Sequence, residues 1–447
     1  MASDSRTGLL PSFTNPALSA RRFPLALLCA LGAACVVLSL SHDWRPADIP
    51  DAEWAGRMLR WLGVLAAGYF LFIGVHLLIG FGRRHLGYAA AGAGFALLLY
   101  LQAASHLGLF FAIPGMLLFV MAAPFLPRQA GNATLWNFNH NAWLGGFFGI
   151  AAGILLAAAL WILYFVIKSL FDVSLPEAFL FDIPTLSFFV VAAWLTLGFL
   201  PYTQAAIEDV RPGRGVALIA SYILVPFVIA YAVVLYAYAA KIAVTGEVPR
   251  GTLVTITGLF IAAAVTTYLI AFPMRESGPL WVRLFHRWIF RVMAVPAGLM
   301  LFAIGMRIKA KGLTEARYAV VVLGLWSLAM AALFGFRATT SIRWLPGSLA
   351  AMLLLASFGP WGAEALATRS QFQRMQAWLT EIGFIADGKV KVDGGKLQRA
   401  EMYRFEDYAS FLIDRGQASR MAPWLEQPGM ISDQSTLDAV KKAFGID

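Results

Sequence analysis

The feature that most constrains this chain is a series of blocks of 17 to 26 apolar residues carrying almost no charge. A bilayer core takes about 20 apolar residues in a helix. The blocks are 24–41, 61–81, 87–103, 107–125, 142–167, 184–200, 215–240, 252–273, 288–306, 317–336 and 345–362. Composition agrees: 60% of the 447 residues are apolar and 13% charged, against about 45–50% and about 25% in a soluble domain. Such a chain has too little polar surface to face water alone. The fold class expected is all-α: a polytopic transmembrane helical bundle of about eleven spans with a small soluble, mainly helical C-terminal domain.

Three regions follow. Residues 1–22 are a polar N-terminal segment, 23–366 the transmembrane domain and 367–447 the soluble domain. Arg21-Arg22 precede an apolar run too long for a cleavable leader, so that run is read as a retained span. The third and fourth blocks are joined only by a short segment around Ser105-His106. Either both cross, or together they form one hairpin that penetrates without crossing. Loop arginines, including Arg83, Arg84, Arg211, Arg275, Arg337 and Arg343, favour a cytoplasmic N-terminus by a modest margin. With eleven spans the C-terminal domain then lies outside; one span more or fewer reverses that.

The net charge of +10 sits in short clusters beside apolar blocks, which suits lipid headgroups and excludes a nucleic-acid surface. Arg283, Arg287 and Arg291 recur every four residues and share one helical face. They are read as headgroup contacts of an amphipathic helix lying in the interface before it turns into a span. Gly145, Gly149 and Gly153 make a smooth stripe for close helix packing, and Ala90 with Gly94 and Gly92 with Ala96 do the same in the third block. Cys29 and Cys35 are six residues apart, about 240° around a helix, so they cannot bridge. No metal-ligand spacing, cofactor motif or catalytic motif occurs. His76 is the one deep titratable group in the spans and is read as a neutral histidine bonded to a neighbouring helix.

After Glu364 the chain turns polar. Phe372, Met375 and Leu379 have helical spacing. Lys389–Val392, between Asp387-Gly388 and Asp393-Gly394-Gly395, alternates like a hairpin strand. A helix is expected over 398–414 with Tyr403, Tyr408 and Phe411 as anchors, and a last one from Ser432 or Ser435 to Phe444. So small a module needs the membrane part or a partner for stability.

The most polar site near the membrane is Arg307 to Tyr318, which includes Thr314, Glu315 and Arg317. Thr314 suits an N-cap and Glu315 a first turn. Arg317 is unfavourable there without an anionic partner, and Glu364 is a candidate. Lys241-Ile242 and Gly246 echo Arg307-Ile308 and Gly312, each pair following a span with a mid-helix proline, Pro226 or Pro296. Such prolines can bend helices around a cavity.

At these residues the chain resembles a bacterial family known as domain of unknown function 4153. The likeness rests on Tyr222, Pro226, Tyr236, Tyr238, Lys241, Pro249 and Gly251. It continues through Arg307-Ile308, Gly312 to Glu315, Arg317-Tyr318 and Trp326, then Ser357-Phe358-Gly359-Pro360-Trp361 and Arg369-Ser370-Gln371. It covers about residues 130–445. The resemblance implies a multi-pass bacterial envelope protein and supplies no reaction; members often extend further, which reads this chain as a short form.

Three functions stay open. The first is a non-enzymatic inner-membrane accessory, scaffold or sensory component. It would have an outward-facing site of Lys241, Arg307, Thr314, Glu315, Arg317, Tyr318 and Glu364, contact membrane lipids, and take an envelope protein partner through the C-terminal domain. The second is a transporter or lipid-handling protein with a cavity between the proline-containing spans. The third is an enzyme on a lipid-linked substrate with Glu315 as acid or base. Oligomeric state is not encoded legibly.

Overall fold

Each apolar block falls on a helix in the structure, a computed structural model that describes residues 16–104, 107–125, 131–202, 213–246, 252–337, 340–390, 397–425 and 427–446. Ser105-His106, Arg211, Pro249, Gly251, Lys391-Val392 and Asp393-Gly394-Gly395 lie outside those residues. The short α1 (Pro16–Arg22) leads into the bundle helices α2 (Pro24–Ser41), α3 (Asp51–Gly80), α4 (Arg84–Ala104), α5 (Leu109–Ala122), α6 (Asn132–Phe171) and α7 (Phe179–Gly198). They continue with α8 (Arg214–Thr245), α9 (Thr252–Ile270), α10 (Leu280–Lys311), α11 (Glu315–Phe336) and α12 (Trp344–Ala356). Among the described residues, nine helices are long and apolar enough to cross a membrane; α5, with its 3-10 turn Ala123–Phe125, and α12 are shorter.

The two short helices are partners. They run antiparallel, with Leu353 and Leu354 against Gly115, Phe111 against Ala356, and Arg343 donating to the Phe125 carbonyl at 3.3 Å. The eleventh predicted block ends at Ala356 rather than 362, because Ser357 to Gly362 form a turn with Gly359 at φ +77°. The third block is a full helix of 21 residues. One end of the bundle holds Phe23 against Tyr202 (5.6 Å between rings) and Phe81 against Phe125 (5.8 Å). The other holds Arg60, Leu109 and Arg415 around one cleft. Helices α5 and α12 join these same two ends, so the N-terminal helix and the C-terminal domain lie at opposite ends.

At four prolines of the bundle the freed carbonyl finds a partner on another helix. A proline frees the carbonyl four residues earlier, and hydrocarbon offers no water to satisfy it. Pro296 frees Val292, whose oxygen accepts from the Tyr236 hydroxyl at 3.0 Å. Pro273 frees Leu269, which accepts from the Trp136 indole at 2.8 Å. Pro184 frees Leu180, which accepts from Trp161 at 3.1 Å. Pro226 follows a π-helical turn over Ala220–Leu224, where bonds reach five residues back; Ser221 is the freed group, and Trp281 donates to it at 2.8 Å. Each aromatic donor belongs to a different helix, so each of these prolines also marks a tie between helices.

Helix α10 corrects one expectation. The basic segment and the span are one unbroken helix of 32 residues, with no turn between interface and membrane. Its length of about 48 Å exceeds a core of about 30 Å, so both ends overhang. Arg283, Arg287 and Arg291 are exposed on one face, while Val282, Phe285 and Ile289 face the core.

The C-terminal module comprises α13 (Ala363–Glu381), β1 (Ile385–Ala386), β2 (Lys389–Val390), α14 (Arg399–Ile413), a 3-10 segment Ala418–Trp424 and α15 (Leu437–Ala443). The strands pair antiparallel, Ile385 opposite Val390, around Asp387 (φ +52°) and Gly388 (φ +77°), the two left-handed positions of a type I′ turn. Glu401 accepts from the Gln398 backbone N–H at 2.8 Å and fixes the start of α14. The core is Met375, Leu379, Phe405, Leu412, Met421 and Val440. Tyr403, predicted as an anchor, is 57% exposed, and Phe405 takes the inward place. Thr436 rather than a serine caps α15, accepting from Ala439 N–H at 3.3 Å.

Candidate functional site

Thr314 sits in extended backbone and its hydroxyl accepts from the Arg317 N–H, which starts α11. That cap places Glu315 in the first turn, aimed out of the bundle. There its two carboxylate oxygens take Nε and Nη2 of Arg415 at 2.6 and 2.9 Å. The pair is largely enclosed, with side-chain exposures of 15% and 13%. A forked guanidinium on both oxygens is the strong form of such a contact. Arg415 also donates to the Phe411 carbonyl at 2.7 Å, which anchors it to α14.

Arg317 finds a different partner from the one expected. Its guanidinium donates to the carbonyls of Lys311, at 3.0 Å, and Gly312. These are the orphan carbonyls at the end of α10, the negative pole of its dipole. Arg374, from α13, donates to the neighbouring Lys309 carbonyl at 3.1 Å and to that of Ala310. Gln371 donates to the Leu313 carbonyl at 2.8 Å, and the Ser370 hydroxyl accepts the Leu313 N–H at 3.0 Å. The hydroxyl of Tyr318 donates to the Trp361 carbonyl at 3.1 Å. Residues 309–318 are thereby clipped to α13 and, through Arg415, to α14. Arg307 is exposed nearby and adds its charge to those of Arg317 and Arg374.

Glu364 lines another cleft, with Ser357, Thr368, Gln417 and Arg420. Lys241 lies exposed at the end of α8, beside the small cluster of Ile242, Leu253 and Ala303. The structure therefore brings together Arg307, Thr314, Glu315, Arg317 and Tyr318, while Glu364 lines the neighbouring cleft and Lys241 stands at the end of α8. Arg374 and Arg415 complete the corner and were missed from sequence. Arg374 lies one helical turn past Ser370, so a helix through the closing signature points to it. Arg415 is 100 residues from Glu315, and no local pattern signals it.

Elsewhere, Gly145, Gly149 and Gly153 face α7: a Cβ at Gly149 would stand 2.7 Å from the Ala192 carbonyl. His76 bonds to the carbonyl of Phe72 in its own helix, not to a neighbour, with its ring against Phe23. His286, which the sequence reading passed over, is boxed by Tyr268, Phe272 and Phe285. His42 meets both oxygens of Asp182 at 2.9 Å and ties α2 to α7. The Ser41 hydroxyl beside them lies 3.1 Å from the Leu38 carbonyl and 3.5 Å from Asp182 Oδ1, either of which accepts its proton. Cys29 and Cys35 are free thiols. Among the described residues, no three His, Cys, Asp or Glu gather as a metal site.

The fold and this corner define a polytopic α-helical membrane protein with a C-terminal module clipped to one end of its bundle. The chain belongs to the family described as a domain of unknown function (DUF4153), whose model matches residues 24–387. The match starts well before residue 130, where the resemblance was first legible, and ends in the β-hairpin turn. It thus includes Glu315, Gln371 and Arg374 but not Arg415. No curated protein matches. No solved structure matches.

Proposed function

We propose that this protein is a non-enzymatic scaffold or accessory protein of the bacterial inner membrane that holds its C-terminal domain in a fixed pose at the outer face. One observation carries the reading: the enclosed pair of Glu315 with Arg415 joins bundle and module. A tether that merely kept the module near the membrane has no need of it. The partner is another envelope protein that docks on the module. The N-terminus is cytoplasmic in this reading, and Arg283, Arg287 and Arg291 contact anionic headgroups of the inner leaflet.

The two other readings have less support. Both oxygens of Glu315 are engaged by Arg415, which leaves no lone acid or base at that position. The proline-bearing α8 and α10 meet directly through Tyr236 and Val292. Deletion of the gene tests the proposal. The expected result is the loss or destabilisation of an envelope complex, with lipid, glycan and uptake profiles unchanged. A changed metabolite pool with every complex intact would overturn it.

A further inference from the structure

Two clefts meet at Tyr100 and Phe358, and their chemistry is opposite. The upper one, about 200 Å³, lies between the turn after α12 and the C-terminal module. Ser357, Glu364, Thr368, Gln417 and Arg420 line it. The lower one, about 500 Å³, is an apolar slot down the side of the bundle, floored by Ala90, Ala93, Gly94 and Leu97 and walled by Met116 and Phe119. From Tyr100 to Ala90 is ten residues of α4, about 15 Å. That is half of a hydrocarbon core of about 30 Å, the depth of one leaflet.

The upper cleft carries a sign of a ligand. Thr368 is 2% exposed and its hydroxyl has no hydrogen-bond partner. An unpaired buried hydroxyl is destabilising, and native proteins leave few. Beside it, α13 starts at Ala363 behind Gly362, whose lack of a side chain leaves the first-turn N–H groups without a cap of that kind. A helix start of this kind favours a phosphate, and Arg420 stands on the same cleft. Glu364 balances that charge, so the cleft suits a head with both a phosphate and an ammonium group better than a bare anion.

We propose that the paired clefts bind one phospholipid with a zwitterionic phosphate–ammonium head from the leaflet on the side of the C-terminal module. The phosphate sits at the start of α13 near Arg420 and the ammonium by Glu364. One acyl chain lies in the slot over Ala93 and Ala96, both exposed along it. The small residues of α4 are then what keeps the slot open. This goes beyond the scaffold reading and does not depend on it.

The test is native mass spectrometry of the full chain released from vesicles of equal phosphatidylethanolamine and phosphatidylglycerol. The expected result is one retained lipid, phosphatidylethanolamine favoured about fivefold. Ala93→Phe, which fills the slot, lowers retention of either lipid about tenfold. Glu364→Gln removes the preference between the heads and keeps the chain contact, whereas Arg420→Gln weakens retention of both lipids, which share the phosphate. Thr368→Val, close in shape, weakens retention; a merely structural hydroxyl would leave it unchanged. Equal retention of both lipids by the native protein, or full retention by Ala93→Phe, overturns the proposal and leaves only annular lipid. A preference for phosphatidylglycerol also overturns it, since the head would then be a bare anion.

Discussion

At the residue scale, Glu315 and Arg415 hold the two parts of the molecule together. Removing one member of an enclosed pair leaves the other charge poorly solvated and costs about 3 kcal/mol. Glu315→Ala is therefore expected to loosen α14 from the bundle, α13 staying clipped by Arg374 and Gln371: limited proteolysis cuts between α13 and α14 faster, while the bundle stays resistant. Exchanging the charges, Glu315→Arg with Arg415→Glu, restores much of the protection. Equal cleavage of native protein and Glu315→Ala would rule out the clip. Tyr236 makes a second prediction. Tyr236→Phe strands the Val292 carbonyl and costs about 1 kcal/mol, the usual scale of hydrogen bonds inside membranes. In a Pro296→Ala background that carbonyl regains a helical N–H, so the same change costs close to nothing. A double-mutant cycle of unfolding in detergent reads the difference; additive effects would contradict the pairing.

At the element scale, the helices were legible because lipid demands them. Backbone groups in a span have no water to pair with, and a helix pairs nearly all of them within its own segment, so an apolar block of sufficient length folds as one. What lies between helices was less legible. Arg317 looked misplaced in a helix first turn because its partner is not a side chain at all, but the carbonyl end of the preceding helix. The aromatic residues that satisfy proline-freed carbonyls could not be paired from sequence, since Trp136 and Leu269 are 133 residues apart. The basic stripe of α10 was visible, but its continuity with the span was not, since a helix continues equally well in water and in lipid. Glycines divide into those with neighbours and those without. Gly149→Val forces α7 away from α6 and is expected to cost about 2–3 kcal/mol. Gly92→Ala meets nothing within 4 Å and is expected to be neutral or slightly stabilising. Thermal unfolding in one detergent compares them; equal midpoints would deny the α6–α7 contact.

At the scale of the whole molecule, the central claim is a bundle whose N-terminal helix and C-terminal module stand at opposite ends. The sequence left this open because the third and fourth blocks, 87–103 and 107–125, either both cross or form one hairpin that does not, and nothing marked 345–362 as the partner of 107–125. Their pairing bears on the parity: α5 and α12 share one path between the two ends of the bundle, so counting both or neither leaves the number of candidate spans odd. The module itself was half readable. Its hairpin followed from Asp387-Gly388, whereas its dock depends on Arg415 reaching a residue 100 positions earlier. The most direct test uses single cysteines in intact cells, with Cys29 and Cys35 replaced by serine. Gln434→Cys, exposed on the module, and Leu18→Cys, exposed on α1, are treated with a membrane-impermeant maleimide. The account predicts that Gln434→Cys is labelled from outside and Leu18→Cys only after lysis. Labelling of both from the same side would mean that one of the paired short helices does not cross, and would contradict the architecture described.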